Sequence, residues 1–146
     1  MKRLGSKYIR KGVNSMKIYV FRLTDGSDLK QEIIRFGKEN NIKASFIITC
    51  VGGLRRATLR MAEDHIIKDF EEKFEIVSLV GTISEKDVHL HICLSDKDGK
   101  CIGGHMKDKC IVATTAEIII GESEDHTFLR EFDKKTGYDE LVVKER

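Results

Sequence analysis

Val88-His89-Leu90-His91-Ile92-Cys93-Leu94, then a turn, then Gly103-Gly104-His105, is the stretch on which the reading of this chain depends. The alternation in its first half is strict. Val88, Leu90, Ile92 and Leu94 fall on one side, and His89, His91 and Cys93 on the other. A strand repeats its side-chain direction every two residues, so this is a strand with an apolar core face and a second face of potential metal ligands. Three of the chain's 5 histidines lie between positions 88 and 105.

The turn decides whether those three can meet. Ser95-Asp96-Lys97-Asp98-Gly99-Lys100 carries a hairpin signal in Asp98-Gly99. A two-residue loop at Asp98-Gly99 pairs Lys97 with Lys100 and sets His105 opposite Ile92, on the apolar side. A three-residue loop, Lys97-Asp98-Gly99, with Gly99 left-handed in a bulge, pairs His91 with His105 and Cys93 with Gly103. Only the second register gathers the imidazoles, and both are open at the level of sequence.

Three neutral imidazoles on one face suit Zn²⁺ or a similar divalent ion, with a fourth position free for water or a small ligand. Gly103 and Gly104 would leave room for that ligand, and Cys93 is a further candidate donor. Arg55, Arg56 and Arg60 form a polar run near which a small anionic substrate could sit, and Arg60 joins Gly103 and Gly104 as a ligand-pocket candidate. Metal-dependent hydrolysis of a small substrate is an alternative function. Its general base cannot be placed by spacing, since Glu75 and Glu117 lie in strands and Glu131 near the end.

Outward from this stretch, the chain alternates between strands and turns. Lys17–Leu23 is a strand with Ile18, Val20 and Arg22 on one side and Tyr19, Phe21 and Leu23 on the other. Thr24-Asp25-Gly26-Ser27 is a turn, and Ser27 or Asp28 caps a helix carrying Leu29, Ile33, Ile34 and Phe36 as its apolar stripe. Asn40-Asn41 ends it. Ala44–Val51 is a buried strand, Gly52-Gly53 lets the backbone bend, and Leu54–Met61 continues it. Glu63-Asp64-His65 is a loop. Phe74–Ile83, Cys110–Ile120, Phe128–Phe132 and Leu141–Val143 are further strands, and His126 is assigned to a loop. One helix followed by many strands predicts an α+β domain dominated by a mostly antiparallel sheet.

The chain has 146 residues, 40% hydrophobic and 34% charged, which suits one domain with a sizeable core. No apolar run is long enough to cross a bilayer, and no hydrophobic stretch follows the basic N-terminus, so the expected compartment is the cytoplasm. The 4 cysteines form no Cys-x-x-Cys pair and are expected to be reduced. The formal charge of +2 hides an asymmetry. Lys2, Arg3, Lys7, Arg10 and Lys11 stand in residues 1–15 without an acid. Setting them aside leaves 21 cations against all 24 acids, a net −3 from residue 16 onward. The reading is therefore a flexible basic arm, 1–15, before a domain over 16–146. Any DNA affinity is expected from the arm or from a local patch, because a body of that sign repels phosphate on average.

The order Thr24-Asp25-Gly26-Ser27-Asp28, Gly52-Gly53 with Leu59-Arg60, Lys73 to Gly81, His89-Leu90-His91 and Gly103-Gly104-His105 resembles the plants and prokaryotes conserved (PPC) domain. The segment Phe74-Glu75-Ile76 followed by Ser78-Leu79-x-Gly81 is similar to the family's Arg-Phe-Glu-Ile-Leu-Ser-Leu-x-Gly run. The resemblance spans roughly Met16 to Val143. It implies an α+β fold that assembles as a homotrimer, with a metal such as zinc on His89, His91 and His105. It also brings an association with DNA, since plant members carry AT-hooks and prokaryotic members are commonly called DNA-binding. This sequence has no Arg-Gly-Arg-Pro core and no proline, so AT-hook binding does not transfer.

Overall fold

Asp28 starts the helix and also ties it to the sheet. In the computed structural model, which describes residues 15–146, its carboxylate accepts the Gln31 N–H at 3.3 Å and the Lys109 N–H at 2.7 Å. The first bond caps helix α1 (Leu29–Glu39), and the second fixes the segment before the strand at Ile111–Ser123. Leu29 and Ile33 are fully buried, each stabilising by about 1.5–3 kcal/mol. Phe36 stacks on Phe21 at 4.1 Å and meets Tyr19 edge-on at 5.6 Å. Asn40 closes the helix, and Asn41 turns the chain with φ +54°.

The strands are β1 (Met16–Thr24), β2 (Ala44–Arg60), β3 (Ile67–Phe70), β4 (Phe74–Ser84), β5 (Val88–Ser95), β6 (Cys101–Met106), β7 (Ile111–Ser123), β8 (His126–Asp133) and β9 (Tyr138–Glu145). The first seven form an antiparallel sheet in the order β1-β7-β2-β4-β5-β6, with β3 added along β2. Strand β2 is long and bent, with register shifts at Ile47/Thr49, Gly52/Gly53 and Leu54/Arg56. Its first half pairs with β4, and its last residues, Leu59 and Arg60, pair with Met106 and His105 of β6. Strands β2, β4, β5 and β6 therefore close on one another. The core within includes Leu54, Leu59, Ile83, Leu90, Leu94, Met106, Ile118 and Ile120. The expected fold class is the observed one.

Three local expectations change. Strand β3 occupies a segment to which the sequence reading assigned no element; it forms because Ile67–Phe70 pair with Ala57–Arg60, and Asp69 takes Arg56 at 2.5 Å and Thr58 at 2.9 Å. His126 opens β8 and bonds Ser123 at 2.6 Å, so it is not in a loop. Strands β8 and β9 are each 8 residues long and pair along their full length, well beyond the two short apolar runs. A lone two-stranded hairpin is marginal in water. This one is tethered to the main sheet, by Phe128 N–H to the Lys43 carbonyl at 2.9 Å and by Arg130 to Thr82 Oγ1 at 2.7 Å.

Cross-strand partners share a face, and one row can be followed across the sheet. Ile18 pairs with Gly121, Gly121 with Phe46, Phe46 with Thr82, and Thr82 with His89. The histidines thus lie on the outer face that also exposes Ile18, Val20, Ile48, Val51 and Val80. Among the described residues no helix is long and apolar enough to cross a membrane.

A candidate metal centre on the outer face

The β5–β6 register pairs His91 with His105, Ile92 with Gly104 and Cys93 with Gly103. This is the three-residue turn. Asp96 and Lys100 flank it, the Asp96 N–H donates to the Lys100 carbonyl at 2.9 Å, and Gly99 takes φ +79°. The Asp96 carboxylate stiffens the loop by accepting the Asp98 and Lys100 N–H groups, both at 2.9 Å. On the inner side Val88, Leu90, Ile92 and Leu94 are buried, as the alternation requires.

This register brings the three imidazoles together. Ring centroids are 5.0 Å apart for His89–His91, 5.1 Å for His89–His105 and 5.5 Å for His91–His105. One nitrogen from each ring lies within 4.8 Å of the others. His89 Nε2 and His91 Nε2 are 3.2 Å apart, close enough for a hydrogen bond if one carries the proton. Tetrahedral zinc with Zn–N bonds of about 2.0–2.1 Å separates its ligand nitrogens by roughly 3.3 Å, so the spacing also suits a shared ion. His105 Nδ1 is buried without a hydrogen-bond partner, a costly state that ligation or a bound group would relieve.

The electrostatics favour the neutral form of His105 and His89. Burial, then Arg60 and the other two histidines, push His105 down from 6.5 to about 4. Burial, His91 and Arg130 lower His89, with Glu140 acting in the opposite sense. Neutral imidazole is the ligating form, so protons compete weakly for these two rings at neutral pH.

The remaining sequence candidates divide clearly. Arg60 is directly across from His105, bonded to Asp64 at 2.9 Å, with its guanidinium 5.6 Å from the Tyr138 ring centroid. Arg55 and Arg56 stand apart, paired to Asp25 at 2.6 Å and to Asp69 at 2.5 Å. Gly103 and Gly104 flank the cluster, and both have packing reasons to be glycine. A Cβ on Gly104 would stand 2.7 Å from the Arg60 carbonyl oxygen, and one on Gly103 2.9 Å from that of Ile92. Cys93 is not in the three-histidine group; its thiol is pushed up by burial and by Cys101. His65 is in the loop before β3. Lys2, Arg3, Lys7, Arg10 and Lys11 lie outside the described residues. Sequence reading missed Arg130 and Glu140, which act on His89 from the β8–β9 hairpin, and Tyr138, which lies against Arg60. No local period could have revealed them, because the hairpin is far along the chain.

The Plants and Prokaryotes Conserved (PCC) domain matches residues 10–124 of this sequence. The chain belongs to the PCC domain family. The match takes in the histidine cluster, and the β8–β9 hairpin lies beyond it. Among curated relatives, the bifunctional protein GlmU of Synechococcus sp. (strain JA-3-3Ab) is 40% identical over 132 residues, covering 88% of this chain and 21% of GlmU. The PCC chain thus spans about a fifth of that relative's length. Among solved structures, a hypothetical protein from Salmonella cholerae-suis matches with a TM-score of 0.88 at 36% identity, covering 90% of this chain and 96% of that one. A metal-containing protein from Archaeoglobus fulgidus matches with a TM-score of 0.75 at 28% identity, covering 86% and 93%.

Proposed function

We propose that this PCC protein is a small cytoplasmic, self-associating binding module in which His89, His91 and His105 hold a divalent cation. Three neutral nitrogen donors favour zinc or a similar borderline ion over calcium or magnesium, which prefer oxygen. The observation that carries the reading is the convergence of one nitrogen from each ring within 4.8 Å. The metal-containing Archaeoglobus relative supports it. A three-histidine centre leaves a coordination position free, so the ion would serve to hold a small ligand between β5, β6 and the hairpin.

Elemental analysis after exhaustive dialysis tests this. About one divalent ion per chain is expected in the wild type, and none in His91→Ala/His105→Ala. Equal, negligible metal in both, after incubation with zinc, refutes the centre.

Self-association, as a homotrimer, is supported by the apolar outer face. Val20 is 70% exposed, Val51 60% and Val80 56%, on the same side as the histidines. Burying such a patch against a second copy removes apolar area from water. The module's ligand site would then border the interface.

DNA binding through the arm is the second reading, favoured by five cations without an acid in residues 1–15. It requires affinity that falls steeply with salt and is lost when those residues are deleted. Unchanged binding after the deletion would assign any DNA contact to the body instead.

A further inference from the structure

The histidine cluster is flanked by cations on two sides. On the His105 side stands Arg60, its cross-strand partner. Asp64 and the Tyr138 ring hold its guanidinium, and the Tyr138 hydroxyl in turn donates to Asp64. Arg60 Nε is nevertheless buried with no partner. On the His89 side stands Arg130, bonded to Thr82, the residue across from His89. Lys107, two positions beyond His105, adds to the positive field on that ring, while Glu140 is the carboxylate acting on His89.

Two guanidiniums are poor company for a divalent ion. Their mutual repulsion falls off slowly in a partly dry site, and Asp64 is already engaged by Arg60. The repulsion is relieved when an anion lies among the three positive charges. Arg60 Nε supplies an N–H donor that no protein group uses, and a guanidinium matches the oxygens of carboxylate or phosphate.

We propose that the site takes a small-molecule oxyanion, a carboxylate or a phosphate group, held by Arg60 on the His105 side and by Arg130 on the His89 side, with one oxygen at the free position of the three-histidine centre. The inference rests on the metal reading above and names the ligand class. Arg130 lies in the hairpin, outside residues 10–124, so half of this clamp belongs to the part of the chain beyond the family match.

Cobalt(II) replaces zinc at nitrogen sites and reports its coordination through its visible ligand-field band. The full-length protein loaded with cobalt(II) is titrated with sodium acetate in one arm and inorganic phosphate in the other, at constant ionic strength. A saturable change of the band is expected for at least one of the two, and the tighter arm identifies the source of the oxyanion. Arg60→Met and Arg130→Met should each weaken that binding roughly tenfold or more, as loss of a charge-assisted hydrogen bond implies. Arg55→Met, which removes the partner of Asp25 away from the cluster, should not. The band of each variant before anion is added shows that its centre is intact.

A wild-type band that neither anion alters, or equal affinities in wild type and both clamp variants, overturns the oxyanion site and leaves the metal centre standing. No cobalt band in the wild type overturns both.

Discussion

Gly81 lies so close to His89 across the β4–β5 pair that a Cβ added to it would stand 2.0 Å from the His89 carbonyl oxygen. Its φ of +150° is also one that side chains rarely adopt. The backbone of the first histidine is therefore seated on a position that only glycine fills.

Gly81→Ala should cost about 3 kcal/mol or more, from the clash and the strained dihedral together. Urea unfolding of the metal-free protein measures it. The same variant should bind zinc more weakly, because β4 must shift away from His89. A Gly99→Ala control also sits at positive φ, but has nothing within 4 Å, so it should cost about 1 kcal/mol and spare the metal.

The stability of the metal-free protein should fall as pH drops from 6.5 towards 4. His105 is held down to about 4, so in that interval the unfolded chain takes up a proton that the folded chain refuses. His89 is lowered as well, chiefly by burial, and adds to the same slope. Asp25, Asp69 and Asp108, lowered first by hydrogen bonds from Arg55, Arg56 and Lys30, titrate beneath their ordinary 3.8. Their contribution is lost only at lower pH. The interval from 6.5 to 4.5 thus reports on the histidines, and His105→Asn should flatten it. An identical slope in that variant would place the proton uptake elsewhere.

Charge on the outer apolar face should break self-association without unfolding the chain. Val20→Lys alters a side chain that is 70% exposed and makes no part of the core. Multi-angle light scattering should give a multiple of the chain mass for wild type and the mass of one chain for the variant, with unchanged circular dichroism. A wild type that is already monomeric at high concentration contradicts the prediction.

The four thiols should separate by burial. Cys50 is pushed up to about 12 and Cys110 to about 11, both chiefly by burial, while Cys101 is exposed. Iodoacetamide at pH 8 should modify Cys101 first and Cys93 more slowly, as read by mass spectrometry of the peptides. Cys50 and Cys110 should react only after denaturant is added. Early modification of Cys50 would show that the sheet opens around it.

Much of this fold was legible because its signals are local. The period of two in Val88–Leu94 was enough to place His89 and His91 outside and Leu90 and Ile92 inside. Asp28 and the Leu29–Ile33 stripe announced the helix, since a cap and a buried face need only neighbouring residues. Strand β3 was hidden because Ile67–Phe70 are mostly exposed, and their extended form comes from pairing with β2. The register of the β5–β6 hairpin was not local either. Asp98-Gly99 allowed two turns that differ by one residue, and one of them turns His105 inward. Closure of β6 against β2 decided it, because that pairing buries Met106 beside Leu59 and keeps the imidazole on the outer face.

By itself, then, the sequence determined that an apolar-backed strand would carry two histidines on one face, with a third close behind. The tertiary structure alone decided that the three would meet, that Arg60 would stand opposite His105, and that Arg130 and Glu140 would act on His89. The reason is physical. Side-chain alternation is a property of one strand, whereas the partner of each face depends on burying the most apolar surface of the whole chain at once.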